Sequence, residues 1–199
     1  MPKSAGEWVL EERLVAYLDP GSEWILLRLN EPPGIETTSS CMGRIALIEG
    51  EWPWERRATS RIVYKTHTVI APERLALEVV KYYRDLWLKV TGPIFHARVS
   101  TLECARWLLD KARTSGFKHS GIISPATDRG CCVVEVAAPT GFAAPIKLSW
   151  TFLVTREGLV ALASRANYAL AEGRRRLALL ALGISNSWME SPCAAPLYP

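Results

Sequence analysis

The hydrophobic positions along this chain change period several times, and each change predicts an element. Residues 7–18 carry Val9, Leu10, Leu14, Ala16 and Tyr17 at helical spacing after Ser4, until Asp19-Pro20-Gly21 breaks the run. A short apolar segment at 24–29 predicts a second helix, stopped by Pro32-Pro33-Gly34. Strands are predicted next at 37–41, 44–48 and 61–70, with a loop at Gly50-Glu51-Trp52-Pro53-Trp54-Glu55. Pro72 opens a predicted helix reaching about Val90, with Ala76, Val79, Val80, Tyr83, Leu86, Trp87 and Val90 turned inward. Residues 94–99 predict a strand. Ser100-Thr101-Leu102-Glu103 has capping-box spacing before a helix that buries Ala105, Leu108, Leu109 and Ala112, with Gly116 as its C-terminal cap. Strands follow at 120–124 and 131–137 around a turn at 125–130, and a longer one at 145–154. Thr155 caps a helix over Leu159, Leu162, Ala163, Ala166 and Leu170; Gly173 is expected to interrupt it before a last segment at 174–182.

Strands arrive in runs, not in strict alternation with helices. The expected class is α+β, a mixed, largely antiparallel sheet flanked by helices. Neither G-x-G-x-x-G nor a P-loop is present, so this is not a Rossmann fold by its glycines. The 199 residues are expected to form one domain over 1–184, with a loosely ordered, proline-containing tail at 185–199. The composition, 49% hydrophobic and 22% charged, is that of a folded chain. The longest apolar runs fall far short of the ~20 residues that cross a bilayer, and no apolar segment follows Lys3 as a secretory leader requires. Five cysteines without a C-x-x-C pair point to a reducing, cytoplasmic setting and away from a zinc ribbon.

Charge changes the picture. Residues 1–40 hold Lys3, Arg13 and Arg28 against seven acids, a net of −4, while the whole chain is +4. The remainder is therefore +8, and most of its cations are arginines suited to bidentate phosphate contacts. A polyanionic partner such as nucleic acid is one reading. A heat-adapted surface is the other, since the chain has no Gln and three Asn.

The segment Glu36-Thr37-Thr38-Ser39-Ser40-Cys41-Met42-Gly43-Arg44-Ile45 concentrates candidate chemistry. Four consecutive hydroxyls offer donors and acceptors, Gly43 permits a positive φ, and Arg44 suits a phosphate or carboxylate. The same residues also fit an edge strand with a glycine bulge. His67, His96 and His119 each lie at the end of a predicted strand, in a spacing that matches no metal signature, so no metal is expected. Trp52, Trp54, Arg56 and Arg57 form an aromatic and basic loop that either stacks on bases or folds back onto the core. Arg174-Arg175-Arg176 reads as solvated surface or as a tRNA contact.

These residues resemble a known family. Thr37 to Ile45 is similar to the T-S-S-C-S-G-R-I signature of the third protein of tRNA-wybutosine synthesis. Lys65-Thr66-His67 resembles that family's S-H element, Gly92-Pro93-Ile94-Phe95-His96 its P-x-I-x-H strand, and Gly116-Phe117-Lys118-His119-Ser120-Gly121-Ile122 its G-F-x-x-S-G-I turn. Ala166-Asn167 resembles its closing A-N helix, so the likeness spans about residues 5–182. Met42 replaces the usual serine, Thr66 stands at the serine of the S-H element, and the lysine- and glycine-rich tract before that element is absent.

The resemblance implies an S-adenosylmethionine-dependent methyltransferase acting on N-4 of a wyosine-type base in tRNA-Phe. Within that reading Ser39, Ser40, Gly43 and Arg44 are candidates for cofactor binding, with Ser39, Ser40 and Arg44 holding the cofactor carboxylate or a tRNA phosphate, and His67 and His96 are candidates for base contact or proton relay. Lys65, Arg56, Arg57, Lys118 and Trp54 are candidates for tRNA contact. Methyl transfer from a sulfonium is an in-line displacement, so Cys41 is not needed as a nucleophile. Two rivals stand beside this: a non-catalytic tRNA-binding relative, and a small-molecule enzyme whose basic face serves only stability.

Overall fold

Burial alternates residue by residue at 94–99 and 132–137, one side packed into the core and the other partly exposed, which makes each a half-buried strand. The computed structural model describes residues 5–15, 17–54, 59–125 and 131–197. They form helices α1 (Ala5–Leu14) and α2 (Glu23–Leu29), strands β1 (Ile35–Cys41), β2 (Arg44–Glu49) and β3 (Arg61–Thr66), and helix α3 (Pro72–Val79). Next come β4 (Leu86–Thr91), β5 (Ile94–Val99), α4 (Leu102–Thr114), β6 (Gly121–Pro125) and β7 (Cys132–Ala137). Strands β8 (Phe142–Leu148) and β9 (Thr151–Phe152) precede α5 (Arg156–Ser185) and a 3₁₀ turn at Pro192–Ala194. All strand pairs are antiparallel, in two sheets, ordered β1-β5-β7-β6 and β3-β2-β4-β8-β9. The α+β class and its antiparallel character hold, with two sheets where one was expected.

The chain divides into two compact units. The first comprises residues 1–42, 93–139 and 174–199; the second comprises residues 43–92 and 140–173. In the first, Phe95, Ala97, Val99, Val134 and Val136 face a core built with α4 through Ala105, Leu108 and Ala112, and with Leu180 and Ile184 of α5. Thr101 caps α4: its hydroxyl accepts the Cys104 N–H at 3.1 Å. Gly116 ends that helix with φ +93°. A disulfide joins Cys104 to Cys193, and Leu197 N–H donates to Pro33 O at 3.1 Å, so the segment expected to be a loose tail is fastened to this unit over Ser191–Leu197. In the second, Ile45, Leu47, Leu86, Leu88, Val90 and Ile146 pack on Leu75 and Val79 of α3 and on Leu159, Ala163, Ala166 and Leu170 of α5.

Three expected elements differ. The helix from Pro72 stops at Val79, and Leu86–Thr91 is a strand. Its six residues are hydrogen-bonded between β2 and β8 and nearly all buried, a run that periodicity alone cannot assign to helix or strand. The long strand at 145–154 is a hairpin, turned at Ser149 and Trp150 with φ +47° and +68°; Asp85 Oδ1 accepts the Ser149 N–H at 2.7 Å and holds the turn. Gly173 is buried inside α5, which runs unbroken for 30 residues. No helix among the described residues is long and apolar enough to cross a membrane.

Candidate functional site

In the first unit the polar face of the β1-β5-β7 sheet carries a chain of three side chains. The register sets Ser39 opposite His96 and His96 opposite Glu135. Ser39 Oγ lies 2.8 Å from His96 Nδ1, and His96 Nε2 lies 3.0 Å from Glu135 Oε2. A carboxylate only accepts, so Nε2 carries the hydrogen, and in the neutral ring Nδ1 accepts from the Ser39 hydroxyl. One step along the same face, Arg98 pairs with Glu36 at 2.9 Å. The imidazole and its carboxylate are each about one third exposed, so this chain is open to solvent on its outer side.

Strand β1 is an edge strand with an irregularity between Thr37 and Ser39. Asn30 fixes its inner side: its Oδ1 accepts the Thr37 N–H at 2.8 Å, and its Nδ2 donates to Thr37 Oγ1. The outer hydroxyls of Thr38, Ser39 and Ser40 line a groove of about 610 Å³ with Trp8, Tyr17 and Glu36. Glu12 and Asp19 also line it, and no basic residue among the described residues does. The segment is thus an edge strand, as one of the two sequence readings had it, with the irregularity between Thr37 and Ser39 and not at the glycine.

Met42 is 3% exposed in the first unit's core, and its N–H donates to Asp19 Oδ2 at 2.7 Å. The residue that departs from the family signature is therefore a core side chain. Arg174 Nε donates to Met42 O at 3.1 Å, which makes Arg174 part of the unit's framework. Cys132 is buried beside Cys131, and burial first, then that neighbour, pushes its thiol up to about 12, so it stays protonated. Lys118 and His119 are exposed in the turn before β6.

The second unit holds the rest of the predicted residues. Gly43 has φ +82°, and a Cβ there would meet Thr91 O at 2.7 Å and Leu170 Cδ1 at 3.0 Å, so glycine is required by the backbone. Arg44 opens β2, Lys65 is exposed on β3, and His67 follows β3, half-buried. Trp54 stacks on Trp52 with ring centroids 5.5 Å apart, and both lie about 6 Å from Trp87. The loop is therefore exposed aromatic surface standing on a strand tryptophan. Arg56 and Arg57 lie outside the described residues. Glu135 is a site residue that sequence reasoning missed. The alternation of 132–137 places it on a polar face, but only strand pairing brings it to His96.

The family model described as Methyltransferase TYW3 matches residues 11–186. A protein of Aeropyrum pernix is 45% identical over 171 residues, covering 86% of this chain and 90% of its own length. It bears the name tRNA(Phe) 7-((3-amino-3-carboxypropyl)-4-demethylwyosine(37)-N(4))-methyltransferase. A protein of the same name from Saccharolobus solfataricus is 33% identical, over 90% of this chain and 85% of its own. A crystal structure of a hypothetical protein from Aeropyrum pernix superposes with a TM-score of 0.78 at 40% identity, over 84% of this chain and 98% of that one. A Pyrococcus horikoshii structure at 24% identity shares the fold, with a TM-score of 0.80. With the family model matching residues 11–186 and a relative 45% identical over 86% of this chain, the chain belongs to the methyltransferase TYW3 family.

Proposed function

We propose that this chain transfers a methyl group from S-adenosylmethionine to N-4 of a wyosine-type base in tRNA-Phe, in the cytoplasm, as a step of wybutosine synthesis. We assign residues 1–184 to that work as one methyltransferase domain. The observation that carries the reading is the Ser39–His96–Glu135 chain beside a hydroxyl-lined acidic groove, in a member of this methyltransferase family.

The groove's donor set fits the cofactor. S-adenosylmethionine carries a sulfonium and an ammonium against one carboxylate, and it suits a lining with Glu12, Asp19 and Glu36 and without basic residues. The Trp8 and Tyr17 rings offer faces for adenine, and the Ser40 hydroxyl can donate to the carboxylate. The cofactor supplies an electrophilic methyl group. The residues of this chain align the acceptor nitrogen and take its proton. The Ser39 oxygen faces outward as an acceptor, its own proton is poised toward Nδ1 of His96, and Glu135 stabilises the imidazolium that results.

The decisive experiment incubates the purified protein with labelled S-adenosylmethionine and tRNA-Phe carrying the demethylated base, followed by mass spectrometry of the digested tRNA. A methyl group on the tricyclic base is expected. Binding of tRNA without any methyl incorporation or cofactor binding would instead make the chain a non-catalytic relative.

A further inference from the structure

The second unit's sheet has two unlike faces. One carries Ile45, Leu47, Leu88 and Val90 into the core. The opposite face carries Arg44, Ala46 and Ile48 of β2 beside Thr91, Lys89 and Trp87 of β4, as their register pairs them. Ala46 also pairs with Lys65 of β3, so two lysines flank one alanine in the same row across three strands. Strand spacing puts their backbones roughly 10 Å apart. Like charges so placed repel unless an anion lies near them.

A pocket of about 570 Å³ opens on this face. Its floor is Ala46 and Ile48, one wall is Trp54, another is Ile62, and Arg44 and Lys89 stand in the lining. No acidic residue lines it among the described residues. Arg61 also lines it, but its guanidinium is paired with Glu49 at 2.6 Å and adds little net charge. The Trp54 ring is 67% exposed yet held by the stack on Trp52 and Trp87. The loop beneath is anchored: the Trp87 indole N–H donates to Gly50 O and Glu51 O, and Lys89 Nζ to Pro53 O at 3.0 Å. Lys89 keeps two further N–H donors.

An apolar floor, a rigid exposed indole and cations without acids recognise an unstacked base on a phosphate chain. The adenosyl cofactor, with two cationic groups, is a poor match for the same lining. Resting on the tRNA reading above, we propose that this pocket is a nucleotide site for the RNA substrate. One unstacked base of the tRNA stacks on Trp54 over Ala46 and Ile48, with neighbouring phosphates on Arg44, Lys89 and Lys65. Arg44 thereby serves the RNA and not the cofactor.

The test measures tRNA-Phe binding by fluorescence anisotropy over a salt series, for the wild type and for Trp54→Ala, Arg44→Ala and Lys89→Ala, with thermal melts as the check on folding. Trp54→Ala is expected to weaken binding by roughly fivefold to a hundredfold with the salt slope unchanged. Arg44→Ala and Lys89→Ala are each expected to reduce the slope of log K against log salt by about one. Wild-type affinity and slope in all three variants, from a protein that methylates tRNA, would overturn this inference alone. A wild type that neither binds nor methylates tRNA would overturn the functional reading with it. Saturable AMP binding that Trp54→Ala abolishes, with tRNA affinity untouched, would make the pocket a small-nucleotide site and also overturn the proposal.

Discussion

The first unit's groove and the second unit's pocket are nearly equal in size, about 610 and 570 Å³, and opposite in charge. Among the described residues, Glu12, Asp19 and Glu36 line the first, Glu36 being paired with Arg98, and no cation does. Arg44, Lys89 and Arg61, the last paired with Glu49, line the second, and no acid among the described residues does. The difference follows from the chain: residues 1–40 are net −4 and supply the first groove's acids, and the basic pocket is built entirely from residues beyond them. The strands differ too. An edge strand rich in hydroxyls contrasts with β2, which lies between two partners and presents Arg44 beside Ala46 and Ile48. On the readings proposed above, the cationic cofactor and the polyanionic tRNA take different surfaces.

The sharpest way to break this division is His96→Ala. It removes the proton acceptor from the first unit, so the methylation kcat should fall by about a hundredfold or more. Affinity for tRNA, read by anisotropy, should stay at the wild-type value. Glu135→Gln separates chemistry from structure: as a positioning residue it should lower kcat by a smaller factor and leave KM for tRNA and cofactor alone. A large loss of tRNA affinity in either variant would show that the first unit also carries the RNA, and the comparison would fail.

Stability offers a second division. The Cys104–Cys193 disulfide lies wholly in the first unit and closes a sequence separation of 89 residues. Removing such a link costs about 2–5 kcal/mol. In Cys193→Ser, hydrogen exchange should show protection lost in α4, β5 and β7 and retained in β2 and β4. Equal loss in both sets would mean that the two units open together.

Much of this was legible in the sequence, and the failures have physical causes. Helix α4 could be read because its apolar positions, N-terminal cap and C-terminal glycine agree. The reading failed at Leu86–Thr91, where the run Leu-Trp-Leu-Lys-Val is buried between β2 and β8 and long-range pairing overrides local periodicity. It failed at Gly173 because a buried glycine inside a packed helix is tolerated when the helix around it is long. The disulfide could not be paired from spacing, and five cysteines without C-x-x-C pointed away from one. In the site, the hydroxyl segment was visible in one dimension. Glu135 and Lys89 were not, because a partner's place in an antiparallel ladder depends on register, which no local pattern fixes.

The smallest expected effects lie at the two threonine caps, one in each unit. Thr101 has extended backbone angles and its hydroxyl accepts the Cys104 N–H, so Thr101→Ala should cost about 1 kcal/mol. Ser100, which the capping-box spacing with Glu103 also picks out, precedes the cap, so Ser100→Ala should cost less. Thr155 Oγ1 accepts the Gly158 N–H at 3.1 Å at the start of α5. There the cap is linked to a carboxylate: the backbone N–H of Glu157 first, and then the Thr155 hydroxyl, hold the Glu157 carboxyl below its ordinary value. A carboxyl lowered in the folded state contributes stability above its unfolded value, and that contribution is lost as pH falls through the lowered one. Thr155→Ala removes one of the two hydrogen bonds that lower it. Its destabilisation should therefore be larger at neutral pH than in acid, whereas the backbone part of the cap is lost at every pH. Thermal melts of both variants at neutral and acidic pH test this, and a Thr155→Ala cost that does not shrink on acidification would remove Glu157 from the account of how the second unit starts its long helix.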